Sequence, residues 1–344
     1  MSAGRLPDLA PVNAEVVDGY DDRAPTLLTS FVGGGSFVHD QPAHTPAVWG
    51  RGDDVLLAEG ESLIIAGGQG VGKTTLAGNV TRGLVADTPH DVLGLPVTPR
   101  DRTLYLAMDR PRQAARSLRR QLADVPRDVL DERLTFMVGP PPHDLARHPG
   151  VLAALAEQAG AQMVIVDSLK DAAIGLSDDE VGAGWNRARQ NALRAGVDLL
   201  ELHHIRKVPA DKRPDIGDVY GSTWITSGAG SVLLLAGAPG DPIVKAWHLK
   251  QPMNEVGPWN LLHDQQAGTM TVDGADDLLA LVRASGGVTA KDAAARLFDT
   301  LTPTRAQKEK ARRRLVTLVD QNLAYPSYTG ASTPTVYVPA GVPA

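Results

Sequence analysis

A glycine-rich stretch at residues 67–75 constrains the fold of this chain more than any other feature. It reads Gly-Gly-Gln-Gly-Val-Gly-Lys-Thr-Thr and fits the pattern G-x-x-x-x-G-K-[ST], with Gly67, Gly72, Lys73 and Thr74 at the fixed positions. An apolar run precedes it directly, and apolar residues at helical spacing follow it. The pattern predicts a buried strand, a phosphate loop and a helix, in that order.

Each residue type in this phosphate loop has a chemical role. Glycines let successive N–H groups point at phosphate oxygens, and the following helix offers its positive end. Lys73 would reach the β- and γ-phosphates, and the Thr74 hydroxyl would bind Mg²⁺. The alternative is a glycine-rich turn that happens to precede a lysine, but the strand–loop–helix context favours ATP binding. The predicted nucleotide contacts are Gly67, Gly68, Gln69, Gly70, Val71, Gly72, Lys73, Thr74 and Thr75.

Composition narrows the class of protein. With 344 residues, 43% of them hydrophobic and 22% charged, the chain has the composition of a globular protein with one large or two modest domains. No apolar stretch approaches a membrane span and the start lacks a signal-peptide core, so we expect a cytoplasmic protein without a membrane partner. The absence of cysteine excludes disulfides and cysteine-based zinc sites. A net charge of −6 means that any nucleic-acid binding must be local or multivalent.

Two further apolar strands are predicted to end in acids. The strand at 161–168 delivers Asp167 at its carboxyl end, where ligands bind in α/β sheets. Such an aspartate can hold Mg²⁺ or its water, although a helix N-cap is the alternative. The strand at 103–108 is followed by Asp109, and Pro111 then begins a helix. That helix places four arginines on one side, which is a solvated face or a contact for a subunit or the DNA backbone: Arg112, Arg116, Arg119 and Arg120.

The order of the predicted elements indicates three parts. Residues 1–44 lack a sustained period and are interpreted as a flexible arm. Residues 45–272 alternate strands and helices and then give consecutive strands, which predicts an α/β fold with a mostly parallel sheet flanked by helices and extended by antiparallel strands. In this part Trp49 lies either over an adenine or, as we expect, in the core. The remaining predicted elements are a Pro/Gly-rich connection at 88–101, helices near 73–85, 150–160 and 180–195, and strands at 134–138, 196–202, 231–235, 243–249 and 259–262.

The third part, residues 275–344, is predicted to fold separately. Helices at 276–284, 289–298 and 304–322, followed by a short hairpin, give the arrangement of a small winged-helix domain. Between Arg305 and Arg314 the third helix carries six basic residues around a single glutamate, a pattern typical of phosphate contact. A partner-docking domain with a solvated basic helix is the alternative.

The phosphate loop, Asp109, Asp167, and His203-His204 with Lys207 occur in the order found in one protein family. Over about 45–265 the chain resembles the RecA-like P-loop ATPases, and within them the RepA-type hexameric helicase group, a relative of the DnaB-type replicative helicases. The resemblance implies that Asp109 polarises the attacking water, although the family usually has glutamate there. It also implies that His204 senses the γ-phosphate while His203 faces the other side of the strand.

The resemblance further implies contacts outside the ATP site of one chain. A cation from one subunit would enter the neighbour's site, and Lys250 is the candidate, with Lys245, Arg206 and Arg213 behind it. Because no arginine occurs between Arg213 and Arg283, this region offers no arginine finger. The DNA-contacting loops would be 168–182 and 206–221. The candidate DNA contacts are Lys207, Lys212, Arg213, Arg305, Lys308, Arg312 and Arg313.

The sequence thus predicts a Mg²⁺-dependent ATPase that assembles as a homo-oligomer, expected to be a hexamer. It would act on single-stranded or forked DNA in replication with partner proteins. The two alternatives are a recombination or repair ATPase and an ATP-switched DNA-binding regulator. The expected catalytic residues are Lys73, Asp109, Asp167, His204 and Lys250, and the expected metal ligands are Thr74 and Asp167.

Overall fold

A computed structural model describes residues 32–206, 213–273, 278–298, 300–320, 323–327 and 334–340. The chain divides into two compact units, Met1–Ala43 and His44–Ala344. The described part of the first unit contains one short helix, α1 (Gly34–His39). The sequence predicted only an irregular arm at this position, because the flanking glycines are poor helix formers. No helix among the described residues is long and apolar enough to cross a membrane.

A nine-stranded sheet forms the centre of the second unit. Numbered along the chain, its strands are β3 (Ser62–Gly67), β6 (Thr103–Ala107), β7 (Leu134–Val138), β8 (Met163–Asp167), β9 (Asp198–His203), β10 (Ser231–Ala236), β11 (Ile243–Lys250), β12 (Trp259–Asp264) and β13 (Thr269–Val272). Their order is β7-β6-β8-β9-β3-β10-β11-β12-β13. The strands from β7 to β10 are parallel, and β11 to β13 continue the sheet antiparallel. The predicted mixed sheet is confirmed, and β13 is an additional strand.

Helices cover both faces of this sheet. Successive residues of a strand point to opposite faces, so Leu63 and Ile65 belong to one core while Ile64 belongs to the other. The first core lies against α2 (Lys73–Val85), α3 (Pro111–Gln121) and α4 (Arg127–Arg133). The second core lies against α5 (Val151–Ala159), α6 (Leu169–Ala172), α7 (Asp179–Arg194) and α8 (Thr223–Ser227). Burial on both faces explains why the parallel strands are continuous apolar runs.

A second sheet of four strands packs on the first core. It contains β1 (Ala47–Arg51), β2 (Asp54–Ala58), β4 (His90–Val92) and β5 (Leu95–Val97), in the order β2-β1-β5-β4. Sequence interpretation gave a connection at 88–101 and missed β4 and β5, because these strands have three residues each. Trp49 is fully buried and its indole Nε1 donates to the Val92 carbonyl at 3.0 Å. Trp49 is therefore a core residue, as expected, and does not lie over an adenine.

A buried ion pair joins three elements of the second core. The Arg189 guanidinium of α7 donates to both carboxylate oxygens of Glu201 on β9, at 2.7 and 2.8 Å. Trp185 Nε1 donates to the same carboxylate at 3.0 Å, and Arg189 also donates to the Ile225 carbonyl of α8. Because both charges are fully buried, their stability depends on this complete set of partners.

The C-terminal block has a core of its own. Its elements are α9 (Leu278–Ser285), β14 (Val288–Thr289), α10 (Ala290–Leu297), α11 (Arg305–Asp320), β15 (Ala324–Ser327) and β16 (Val336–Pro339). The strands form a small sheet in the order β14-β16-β15, and the apolar sides of the three helices share one cluster. Thr289 caps α10 through a capping box with Asp292. Two basic residues of α11 contact the ATPase part: Lys310 pairs with Glu255, and Arg314 donates to the Gly257 carbonyl at 3.1 Å.

Candidate nucleotide-binding site

The phosphate loop joins β3 to α2 with the geometry of an anion site. Gly70 and Gly72 have φ angles of 75° and 97°, in the left-handed region that glycine adopts without strain. The Leu76 amide makes the first helical hydrogen bond, to the Gly72 carbonyl at 2.9 Å. The N–H groups of residues 73–75 therefore have no partner inside the helix and are free to donate to an anion at its positive end.

Lys73 lies over this loop. Its Nζ donates to the carbonyls of Gly67 at 3.0 Å and Gly68 at 2.8 Å. Burial lowers the pKa of the Lys73 ammonium to about 8, and the nearby Asp167 carboxylate opposes this shift. The ammonium is thus held by carbonyls that it can exchange for phosphate oxygens.

Asp167 completes the arrangement from the neighbouring strands. Thr74 Oγ1 lies 3.4 Å from Asp167 Oδ2, and the Tyr105 hydroxyl donates to the same oxygen at 2.8 Å. Burial raises the pKa of the Asp167 carboxyl, whereas the Tyr105 hydrogen bond, the Lys73 charge and the Thr74 hydroxyl lower it. Adjacent ligands of an octahedral Mg²⁺ lie about 3 Å apart, given metal–oxygen distances of about 2.1 Å. The hydroxyl and the carboxylate therefore fit a shared magnesium ion or its water.

The sheet order explains why these residues meet. β9 pairs with β3 on one side and with β8 on the other, so the carboxyl ends of all three strands lie at the same edge. In these ladders Ala66 is opposite His203, and Asp167 is opposite Leu202. The two histidines thus end the strand that lies between the phosphate loop and Asp167.

Asp109 and His204 lie at the same edge. Asp109 follows β6, where Ala107 is opposite Asp167, and its carboxylate is 66% exposed with Arg110 Nε at 3.5 Å. Burial lowers the pKa of the half-buried His204, and the charge of Lys73 lowers it further, while Asp109 raises it. The structure therefore brings the candidate water-polarising acid and the candidate sensor within electrostatic reach of the phosphate loop.

His203 has a different environment from His204. It is fully buried, and its Nε2 lies 2.7 Å from the Tyr220 carbonyl, so this nitrogen carries the hydrogen and donates. Burial lowers the pKa of His203 to about 4 although the Tyr220 bond opposes this, and the ring is neutral at pH 7. His203 thus links the end of β9 to the predicted second DNA loop.

Lys250 does not lie at this edge. It is opposite Val232 near the start of β10, and residue 231 of that strand is opposite Leu63, so Lys250 lies toward the amino end of β3. Its Nζ donates to the carbonyls of Thr226 at 3.1 Å and Ser227 at 2.7 Å, at the end of α8. Within one chain Lys250 cannot complete the phosphate site, and a finger role remains a prediction about a neighbouring copy.

The other candidate cations are spread over the surface. Arg206 donates to the Gly221 carbonyl at 2.9 Å, and the exposed Lys245 is opposite Ala236. Arg213 Nη2 lies 3.7 Å from Glu255. Lys207 and Lys212 lie outside the described residues. The candidate DNA contacts of α11 are all exposed, with Arg312 paired to Glu309: Arg305, Lys308, Arg312 and Arg313.

The arginine face of α3 is exposed as predicted. In the described parts of the chain none of its members has an acidic partner: Arg112, Arg116, Arg119 and Arg120.

Two contacts of the site were missed from the sequence. Tyr105 reaches Asp167 because β6 and β8 are neighbours, which the order of strands along the chain does not reveal. The β12–β13 hairpin lies on α2, where His263 Nε2 is 3.1 Å from Thr75 Oγ1 and Asn79 bonds the backbone of Gly268 and Met270. The turn at Gly268 was a signal for the hairpin itself, but nothing in the sequence pairs it with α2.

Comparisons with known proteins agree with this geometry. A family model described as an AAA domain matches residues 35–210, which is just over half of the chain. The chain belongs to the AAA domain family. The match includes the phosphate loop, Asp109, Asp167 and both histidines. This membership supports a nucleotide-dependent P-loop ATPase, and the large mixed sheet flanked by helices fits a RecA-like core.

Two other comparisons complete the picture. Among solved structures, the chain is similar to the ATPase domain of a replicative helicase, with 14% sequence identity and a TM-score of 0.48 over 62% of this chain and 86% of that chain. No curated protein sequence matches the chain.

The lowered pKa of Lys73 predicts how ATP affinity depends on pH. Because the folded pKa is about 8, the ammonium is charged below pH 8 and loses its charge above it. If only the charged form binds the triphosphate, the Kd of ATP rises about tenfold between pH 7 and pH 9. Isothermal titration calorimetry at both pH values, in buffers of different ionisation enthalpy, should also show proton uptake on binding at pH 9. Lys73→Arg keeps its charge throughout, so its Kd should not change, and a flat wild-type profile would contradict the assignment.

Proposed function

We propose that this AAA family member is a Mg²⁺-dependent ATPase that acts on nucleic acid as a ring-forming homo-oligomer. Its role would be that of a RepA- or DnaB-like helicase or DNA-remodelling motor in replication. The observation that carries the ATPase part is the convergence of Lys73, Thr74 and Asp167 at the carboxyl edge of β3 and β8.

Catalysis in this proposal depends on positioning and charge neutralisation. Free N–H groups at residues 73–75 and the Lys73 ammonium bind the phosphate oxygens. Thr74 and Asp167 would hold Mg²⁺, which when bound neutralises charge on the phosphates. Asp109 orients the attacking water, and the neutral His204 ring donates to the γ-phosphate. The exposed carboxylate of Asp109 suits a site that is closed by a neighbouring subunit, and a lysine of that subunit, Lys250 or Lys245, would supply the last cation.

The DNA part of the proposal is supported by exposed cations. Four basic residues of α11 face away from Lys310 and Arg314, which contact the ATPase part. The C-terminal block follows the order helix, strand, helix, helix, strand, strand, and we propose that it is a winged-helix domain. Together with the loops at 168–182 and 206–221, α11 would contact the phosphate backbone, so binding would weaken strongly with salt.

The same C-terminal block favours a second candidate function. An exposed basic helix on a small domain is also what an ATP-switched DNA-binding regulator would use. In that case ATP would change the conformation without driving movement along DNA. A recombination ATPase, the third possibility from the sequence, would instead coat single strands.

Imaging and unwinding assays separate these functions. The protein should be imaged by negative stain with a non-hydrolysable ATP analogue, with and without single-stranded DNA, and tested on a forked duplex with ATP. The proposal expects a six-membered ring, ATP hydrolysis stimulated by single-stranded DNA, and strand separation. A helical filament would instead favour the recombinase. A monomer or dimer that does not change, and that binds duplex DNA at specific sites, would favour the regulator and overturn the helicase.

A further inference from the structure

His263 lies against the phosphate loop although it is nearly 190 residues from it in sequence. The ring is 8% exposed and sits on β12, facing the start of α2. A Cβ atom added to Gly72 would lie 3.0 Å from His263 Cε1 and 3.2 Å from its Nδ1. The loop and the ring are therefore in direct contact, and Gly72 is required for this approach as well as for its φ angle.

The hydrogen bonds of the ring indicate which nitrogen carries the hydrogen. Nε2 lies 3.1 Å from Thr75 Oγ1, whereas Nδ1 is buried without a hydrogen-bond partner among the described residues. A buried N–H without an acceptor is rarer than a lone pair without a donor. The network therefore assigns the hydrogen to Nε2, which donates to the Thr75 hydroxyl oxygen.

This bond controls the direction of the Thr75 hydroxyl. A threonine inside a helix has two preferred rotamers, because its hydroxyl can also bond the carbonyl four residues earlier. Thr81 in the same helix does so, with Oγ1 at 2.8 Å from the Ala77 carbonyl. By donating to Oγ1, His263 holds Thr75 away from that alternative and leaves the hydroxyl hydrogen free for another acceptor.

The position of Thr75 indicates what that acceptor is. Adjacent helical residues point about 100° apart, and here Thr74 points to Asp167 while Thr75 points to His263. The predicted magnesium ion and terminal phosphates lie on the Thr74 side. The Thr75 hydroxyl and N–H therefore lie toward the other end of a bound phosphate chain, nearest the ribose.

The alternative is that His263 only fixes the hairpin to α2. The hairpin, however, has its own anchors: Asn79 bonds Gly268 and Met270, and Gln121 donates to the Gly268 carbonyl at 2.8 Å. An apolar residue would fill the same space without leaving a buried nitrogen unpaired. Packing alone thus does not account for a histidine at this position.

We propose that His263 is a positioning residue of the nucleotide site, which orients Thr75 so that its hydroxyl and N–H donate together to the phosphate nearest the ribose. This inference rests on the proposed ATP binding. It also predicts that His263 contributes to ATP and ADP binding alike, because both nucleotides contain that phosphate.

The test compares three substitutions of one residue. His263→Phe keeps the ring and loses both nitrogens, His263→Gln can place its amide nitrogen near the position of Nε2, and His263→Asn places it near Nδ1 instead. We expect Phe and Asn to raise the Kd of both ATP and ADP about tenfold, the loss of about one hydrogen bond to a charged group. Gln should restore the Kd to within about threefold of wild type. Equilibrium titration with a fluorescent nucleotide measures these values, and thermal unfolding without nucleotide shows whether each variant is folded.

A double substitution isolates the route through Thr75. In a Thr75→Val background, His263→Phe should have almost no further effect on the Kd, since the group it orients is gone. Wild-type affinity in His263→Phe, equal weakening by Gln and Phe, or a full effect in the Thr75→Val background would each overturn the inference. If Phe does not fold, the contrast between Gln and Asn decides. Failure of the wild-type protein to bind any nucleotide would instead overturn the proposed function.

Discussion

Lys73→Ala is expected to abolish ATP turnover, with kcat/KM falling by at least about a thousandfold. Lys73 is the cation closest to the free N–H groups of the phosphate loop, and its Nζ already lies among the loop carbonyls. Without it, negative charge that develops on the phosphates during transfer has only the backbone dipoles and the metal to stabilise it. Phosphate release from purified protein, measured with saturating ATP and Mg²⁺, gives the value directly.

Two variants control this result. Lys291→Ala removes an exposed lysine of α10 outside the site and should keep wild-type turnover. Lys73→Arg keeps the charge but replaces a compact ammonium by a planar group, so its turnover should stay low despite the charge. Ordinary hydrolysis in Lys73→Ala would mean that the phosphate loop is not the catalytic site.

Asp167→Asn is expected to lower kcat by about a hundredfold to a thousandfold and to raise the Mg²⁺ concentration needed for half-maximal activity. Asparagine keeps the shape and can still accept from Tyr105, but it loses the charge that a hard cation requires. The Lys73 pKa should fall below about 8, because the Asp167 carboxylate no longer supports the charged ammonium. A Mg²⁺ titration of the hydrolysis rate measures the first effect.

The charge change itself needs a control. Asp124→Asn removes a carboxylate that pairs with Arg82 on the surface and should leave both the rate and the Mg²⁺ requirement unchanged. Nucleotide binding without Mg²⁺ should persist in Asp167→Asn, since the N–H groups of the loop remain. Wild-type Mg²⁺ dependence in Asp167→Asn would show that the metal is held elsewhere.

Local patterns predicted most of the elements that carry the site. The helix at 73–85 and the strand at 134–138 were predicted with the bounds that the structure shows. The strand before Asp109 was placed within one residue. These elements follow from apolar periodicity and from glycine and proline at their ends, which act over a few residues. The separate roles proposed for Asp109 and His204 remain predictions.

Long-range pairing is what the sequence did not reveal. That β9 lies between β3 and β8 depends on how the sheet buries both faces, and no local signal specifies it. Tyr105 and His263 join the site only because of such pairings. Lys250 is the opposite case, since its place near the end of a late strand matched the expected motif while the antiparallel register carried it to the far end of β3.

The central position of β3 has a consequence for synthesis of the chain. One edge of this strand pairs with β9, but the other waits for Ser231–Ala236, which emerges about 30 residues later. At about 5–20 residues per second, the strand that leads into the phosphate loop keeps an open edge for about 2–6 seconds on the ribosome. An open apolar edge can pair with another nascent chain. The AAA family match ends at residue 210, so a polypeptide cut there would keep that edge permanently and should aggregate rather than fold as a smaller ATPase.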